Sequence, residues 1–164
     1  MANININELT ELTSPEDDDI LLIEEEDAGS YESKKIKFSN LAPEKDIYIR
    51  AVGEAEAVVT GAGKFTFTCP FNCTITDVQA AVKTPSDTGA ITVDVHNVDD
   101  TDTSVLLVKV TIDQDEYSSY TAGTPSDVDT NHDDISQGDR LRIDVDDDGD
   151  NAEGLDVIIT VRKG

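Results

Sequence analysis

The sequence has no tryptophan and one methionine, with only four phenylalanines, four tyrosines, two cysteines and two histidines in 164 residues. Basic residues are scarce as well: 12 lysines and arginines stand against 36 acidic residues, a formal net charge of −24. Such a surface repels phosphate backbones and anionic lipid headgroups, so neither nucleic acid nor membrane is expected as a direct partner. No apolar run approaches the roughly 18 residues of a membrane span. The first residues, "MANININELTEL", lack the basic stretch and apolar run of a secretory leader. The two cysteines and two histidines match no zinc pattern. No GxSxG, Gly-rich phosphate loop or HExxH appears either. His96, in "VDVHNV", is expected on the strand face opposite Val93 and Val95 and turned to solvent, and His132 lies in the polar loop "TNHDDISQGD". Carboxylates are so numerous that no pair of them is informative. The expectation is a protein that is not an enzyme and requires no cofactor.

The charge also bears on the solvent. Many like charges on a small globule weaken the compact state in dilute buffer. In molar salt the Debye length falls to about 3 Å and much of that repulsion disappears. Excess aspartate over glutamate, little lysine and few aromatics therefore read as adaptation to a hypersaline interior or medium. The alternatives are a merely acidic surface or a binder of divalent cations.

What the sequence does have is β-patterning. In its first 42 residues, "ININ" alternates, Leu9 and Leu12 stand one helical turn apart, and Pro15 marks a break. "DILLIE" and "KKIKFSNL" then read as two strands joined by the polar "EEDAGSYES", a hairpin too small to be stable alone in water. After a connector and first strands over residues 43–60, residues 61–164 continue the pattern. The eight strand-like segments are "IYIRAV", "AEAVVT", "KFTFTC", "CTITDVQAAV", "AITVDVHNV", "SVLLVKVTI", "RLRIDVD" and "GLDVIITVR". Turn signals lie between them, and no helical period intervenes. The fold class expected is all-β, an antiparallel jelly-roll-like β-sandwich preceded by a small N-terminal hairpin module.

Two local features carry alternatives. Cys69 and Cys73, in "TCPFNC", read as small buried residues at a strand corner, or as a local disulfide. "DVDDDGDNAEG" opens like a calcium loop, but its twelfth position is Leu155 where the motif needs a bidentate Glu. A hairpin turn with Gly149 in a left-handed conformation explains the same residues. The other reading is a loosely held Ca2+ or Mg2+ bridging Asp146, Asp148 and Asp150, which would relieve repulsion between adjoining subunits.

The stretch "INELTELTSPEDDDILLIEEEDAGSYESKKIKFSNL" resembles a short module at the front of tailed-virus fibre and decoration proteins. Ile6 to Leu12, Pro15, Asp19 to Ile23, Gly29, Lys34 to Ile36, Asn40 and Leu41 carry the resemblance, while Glu24 to Glu26 and the polar residues around Tyr31 depart from it. "GAGKFTFTCPFNCTITDVQAAVKTPSDTGAITVDVHN", "VKVTIDQDEYSSYTAGTPSDVDTNHDDISQGDRLRIDVD" and "EGLDVIITVR" are similar to a β-sandwich domain of the same class of viral proteins. There, small or apolar residues usually hold the places of Cys69 and Cys73. The resemblance implies a virion structural protein, assembled in the host cytoplasm, whose N-terminus fixes it to the particle.

Ile4, Ile6, Leu9, Leu12, Leu21, Leu22 and Ile23 would then supply the buried contact with a major capsid or tail protein. A symmetric homo-oligomer is expected, a trimer before a fivefold or sixfold turret. Because the sequence stops just after its last strand-like segment, with no shaft or tip, a capsid decoration or turret protein is expected ahead of a tail or baseplate fibre component. The reading from a different class is a monomeric carbohydrate- or cation-binding module.

Overall fold

The computed structural model describes residues 20–27, 30–37 and 44–163. The chain divides into two compact units, residues 1–42 and 43–164. In the first, β1 (Ile20–Asp27) and β2 (Ser30–Lys37) pair antiparallel in unbroken register, from Ile20 opposite Lys37 to Asp27 opposite Ser30. Most of the polar stretch expected as a turn is therefore strand, since β1 runs to Asp27 and β2 begins at Ser30.

The second unit is an all-β antiparallel sandwich. Its strands are β3 (Glu44–Ala57), β4 (Gly61–Thr68), β5 (Cys73–Thr84), β6 (Thr88–Asn97), β7 (Thr103–Ser104), β8 (Leu106–Val108), β9 (Val110–Ile112), β10 (Asp127–Val128), β11 (Asp134–Ile135), β12 (Arg140–Asp150) and β13 (Glu153–Lys163). One sheet runs β11-β5-β13-β3; the other runs β4-β12-β6-β7, with β9 also on β6. Take β7 and β9 as one interrupted strand and set the short β8–β10 pair aside. The first strand (β3) then pairs with the last (β13), the second (β4) with β12, the third (β5) with β11, and β6 with β7 and β9. This is one long hairpin rolled up on itself, the jelly-roll order.

Alternation along the strands builds the core. Ile91, Val93 and Val95 of β6, Leu141, Ile143 and Val145 of β12, and Leu155, Val157, Ile159 and Val161 of β13 are all at most 1% exposed. Each fully buried aliphatic side chain of this kind contributes about 1.5–3 kcal/mol. In β5 the buried set shifts phase, from Cys73 and Ile75 to Val78, Ala80 and Val82. The register with β13 slips at that point, between Thr160 and Val161, so an extra residue returns the apolar side chains to the core.

Three strand expectations are corrected. "AEAVVT" is no separate strand: residues 55–57 complete β3, which pairs with β13 along its length as a sheet edge. "SVLLVKVTI" is broken into β7, β8 and β9: β7 and β9 pair with β6 whereas β8 turns to β10, and Lys109, between β8 and β9, reaches the carboxylates of Asp94 and Asp146. Gly149 does have a left-handed φ of 55°. It belongs to no hairpin, however, since β12 and β13 lie in different sheets and the chain turns a corner between them. A Cβ on Gly149 would stand 2.5 Å from Ser86 Cβ, so the corner needs glycine for space as well as for φ.

Candidate functional site

Of the residues expected to dock, Ile4, Ile6, Leu9 and Leu12 lie outside the described residues. Leu21, Leu22 and Ile23 fall on β1, in register with Ile36, Lys35 and Lys34 of β2. The hairpin thus sets an apolar run in register with a strand carrying three of the chain's eight lysines.

The acidic segment has other attachments. Asp146 is ion-paired with Lys109. Asp148 accepts the Thr60 backbone N–H at 2.9 Å, and the Asp150 carbonyl accepts the Asp87 N–H at 2.9 Å. Irregularities in the β12–β6 register fall between Val145 and Asp147 and again between Asp148 and Asp150, which breaks the regular alternation of these side chains. Among the described residues, no group of three or more His, Cys, Asp or Glu is arranged to hold a metal ion.

Sequence reasoning missed the most heavily desolvated charged site, on the outer face of β6 and β12. Asp94 pairs with Asp144 and His96 with Arg142, as opposed residues of adjacent antiparallel strands. Since Val93, Val95, Ile143 and Val145 point into the core, these four share the opposite face. Asp94 is nevertheless 1% exposed and Asp144 5%. Lys109 Nζ lies 3.0 Å from Asp94, and Ser104 Oγ donates to Asp94 at 2.6 Å. Arg142 grips Asp144 through Nε and a terminal nitrogen, at 2.9 and 2.7 Å, and reaches Asp102 at 2.8 Å.

The backbone contributes too. Gly63, at φ 70° in the irregular pairing of β4 with β12, donates its N–H to Asp144 at 2.7 Å. His96, expected to face solvent, belongs to this cluster and is only 21% exposed: Nε2 stands 3.2 Å from Asp94 and 3.8 Å from Asp144, and Nδ1 lies 3.0 Å from the Asp102 carbonyl. His132, in its loop, is paired with Asp100 at 2.9 Å.

The electrostatics follow from this geometry. Burial opposes ionisation of Asp144, but Arg142 and the Gly63 N–H outweigh it and hold the carboxyl below the ordinary carboxylate range. Asp146 and Asp94 together raise the Lys109 ammonium, and Asp144 and Asp102 raise the Arg142 guanidinium. Among the described residues no buried side-chain nitrogen or oxygen lacks a hydrogen-bond partner, and with Asp94 and Asp144 covered the cluster ties neighbouring strands together.

The other outer face is different. On the four-stranded sheet Tyr48 is 71% exposed beside the Arg50–Asp156 ion pair, and an open cleft of about 250 Å3 is lined by Arg50, Glu54, Lys83 and Asp156 among others. Tyr117 and Tyr120, 61% and 68% exposed, flank the opposite side of that sheet, where Ser118 bridges to Ala81 of β5.

Comparison with protein-family models, curated proteins and solved structures finds no match to this chain.

Proposed function

We propose that this chain is a virion structural protein of a tailed virus of a halophilic host, a capsid decoration or turret protein that docks by its N-terminal unit and presents the jelly roll outward. The observation that supports the reading most directly is the division of the chain into a small hairpin unit and a sandwich with its own core. A two-stranded hairpin is marginal by itself and gains stability only against a further surface. A neighbouring capsid protein supplies that surface, and burial of the apolar residues at Leu21 to Ile23 and upstream holds the subunit. Assembly as a homotrimer, or as a fivefold or sixfold turret, would add avidity.

The test is the copy number on purified particles assembled with the intact chain, with a chain lacking residues 1–41, and with Leu22→Asp. Loss of the truncated and Leu22→Asp proteins from particles is expected, because the substitution buries a charge without a partner. Undiminished occupancy would overturn the reading. Labelling of the intact protein at the tail or baseplate, away from the capsid, would move it to the fibre assignment.

A second reading, a carbohydrate-binding module, is favoured by one observation: Tyr48, Tyr117 and Tyr120 are exposed rings at the two sides of one sheet. Sugar rings stack on such faces, and the Arg50–Asp156 pair offers donors and acceptors for hydroxyls. Glycan binding that is lost in Tyr48→Ala would support it.

A further inference from the structure

We propose that Cys69 and Cys73 are an oxidisable pair that closes to an intramolecular disulfide by exchange with a small-molecule disulfide such as oxidised glutathione. The inference is independent of the attachment reading. Both residues are free thiols, 1% and 4% exposed, and their sulfurs face each other at 3.6 Å. A disulfide needs about 2.05 Å, so the sulfurs must approach by roughly 1.5 Å, a shift that small side-chain rotations can share.

The backbone on either side is held in place. The Cys69 N–H donates to the Asp139 carbonyl at 2.7 Å, and its carbonyl accepts from Gly138 at 2.9 Å. Cys73 lies between Ile135 of β11 and Lys163 of β13. The pair therefore spans the corner where the chain leaves the five-stranded sheet for the four-stranded one. No third ligand converges on it, since no metal-holding group occurs among the described residues.

The exchange balances in two steps. One thiolate of the pair attacks a sulfur of the glutathione disulfide, breaking that S–S bond and releasing one glutathione thiolate. The second cysteine then attacks the mixed disulfide, forms the Cys69–Cys73 bond and releases the second glutathione. Two electrons pass to glutathione, and the two thiol protons end on the released thiols.

Burial, reinforced by the hydrogen bond with Cys69, pushes the Cys73 thiol up to about 12, so its thiolate is scarce at neutral pH. Exchange is consequently slow while the corner stays closed and proceeds when it opens. The pair stays reduced in a glutathione-poised cytoplasm and closes outside it.

The experiment uses the full chain, refolded from urea in glutathione buffers that run from reduced to oxidised, so that access to the sulfurs does not limit the result. Free thiols are then alkylated under denaturing conditions and the chain is weighed and mapped. Expected at the oxidised end are a monomer lighter by two hydrogens, a cross-link joining Cys69 to Cys73, and a Tm higher by about 4–8 °C that reductant reverses. Cys69→Ser and Cys73→Ser should each lose that Tm response. Two alkylatable thiols, glutathione adducts or a covalent dimer at the oxidised end would overturn the proposal.

Discussion

Asp94 and Asp144 stand directly opposite one another on β6 and β12, two buried carboxylates on the sheet face turned away from the core. Like charges so placed destabilise a sheet unless they are compensated. Here Lys109 and Arg142, two of the chain's 12 basic residues, supply the compensation, with His96, Ser104 and the Gly63 N–H completing the network. The arrangement fixes which strands meet, and it makes the sandwich sensitive to single changes there.

Arg142→Met removes the partner of a carboxylate whose side chain is only 8% exposed. Breaking a fully buried pair costs about 3–5 kcal/mol; because Arg142 reaches partly into solvent, a loss of about 2 kcal/mol is expected. Urea denaturation of the variant checks it, and a change within about 0.5 kcal/mol, as at ordinary surface sites, would show the pair to be dispensable.

Acid should act through Asp144. Its carboxyl is depressed in the folded state, with burial outweighed by Arg142 and the Gly63 N–H, so the folded form takes up the proton less readily than the unfolded chain. The stabilisation is therefore present above the unfolded value of about 4 and is lost as pH falls through the folded one. Tm measured against pH should fall less steeply below about pH 4 in Asp144→Asn than in the parent.

Gly149→Ala combines a left-handed φ of 55° with a Cβ only 2.5 Å from Ser86 Cβ. A loss of about 2–4 kcal/mol is expected from strain and overpacking together. Gly138→Ala shares the positive φ but meets nothing within 4 Å, so its loss should be smaller. Equal losses in the two variants would remove the Ser86 contact as the cause.

Salt should stabilise the chain. With a net charge of −24, self-repulsion is screened as the Debye length shortens, and Tm should rise by several degrees between dilute buffer and molar KCl. A flat response would remove the halophilic part of the proposed function.

Much of the fold was legible in the letters because alternation is local. Ile91, Val93 and Val95, or Leu141, Ile143 and Val145, declare a buried face without any knowledge of their neighbours. The hairpin ahead of the sandwich showed itself in the same way, although its strands are longer than the apolar residues alone suggested. The charge cluster left no comparable trace. Asp94, His96, Arg142 and Asp144 occupy outward positions of strands far apart in sequence, where any polar residue would satisfy the pattern, and "SVLLVKVTI" gives no sign that Lys109 leaves the ladder.

The sequence by itself determined that this chain is a β-patterned, strongly acidic protein with a separate N-terminal segment, because period-2 alternation and net charge are properties of the chain alone. Tertiary structure decided which strands became neighbours. The rolling of one long hairpin set β6 beside β12 and brought Asp94 to Asp144, and the passage between sheets brought Cys69 to Cys73 at 3.6 Å. Desolvation and hydrogen bonding depend on that neighbourhood, so the chemistry of these pairs exists only once the chain is folded.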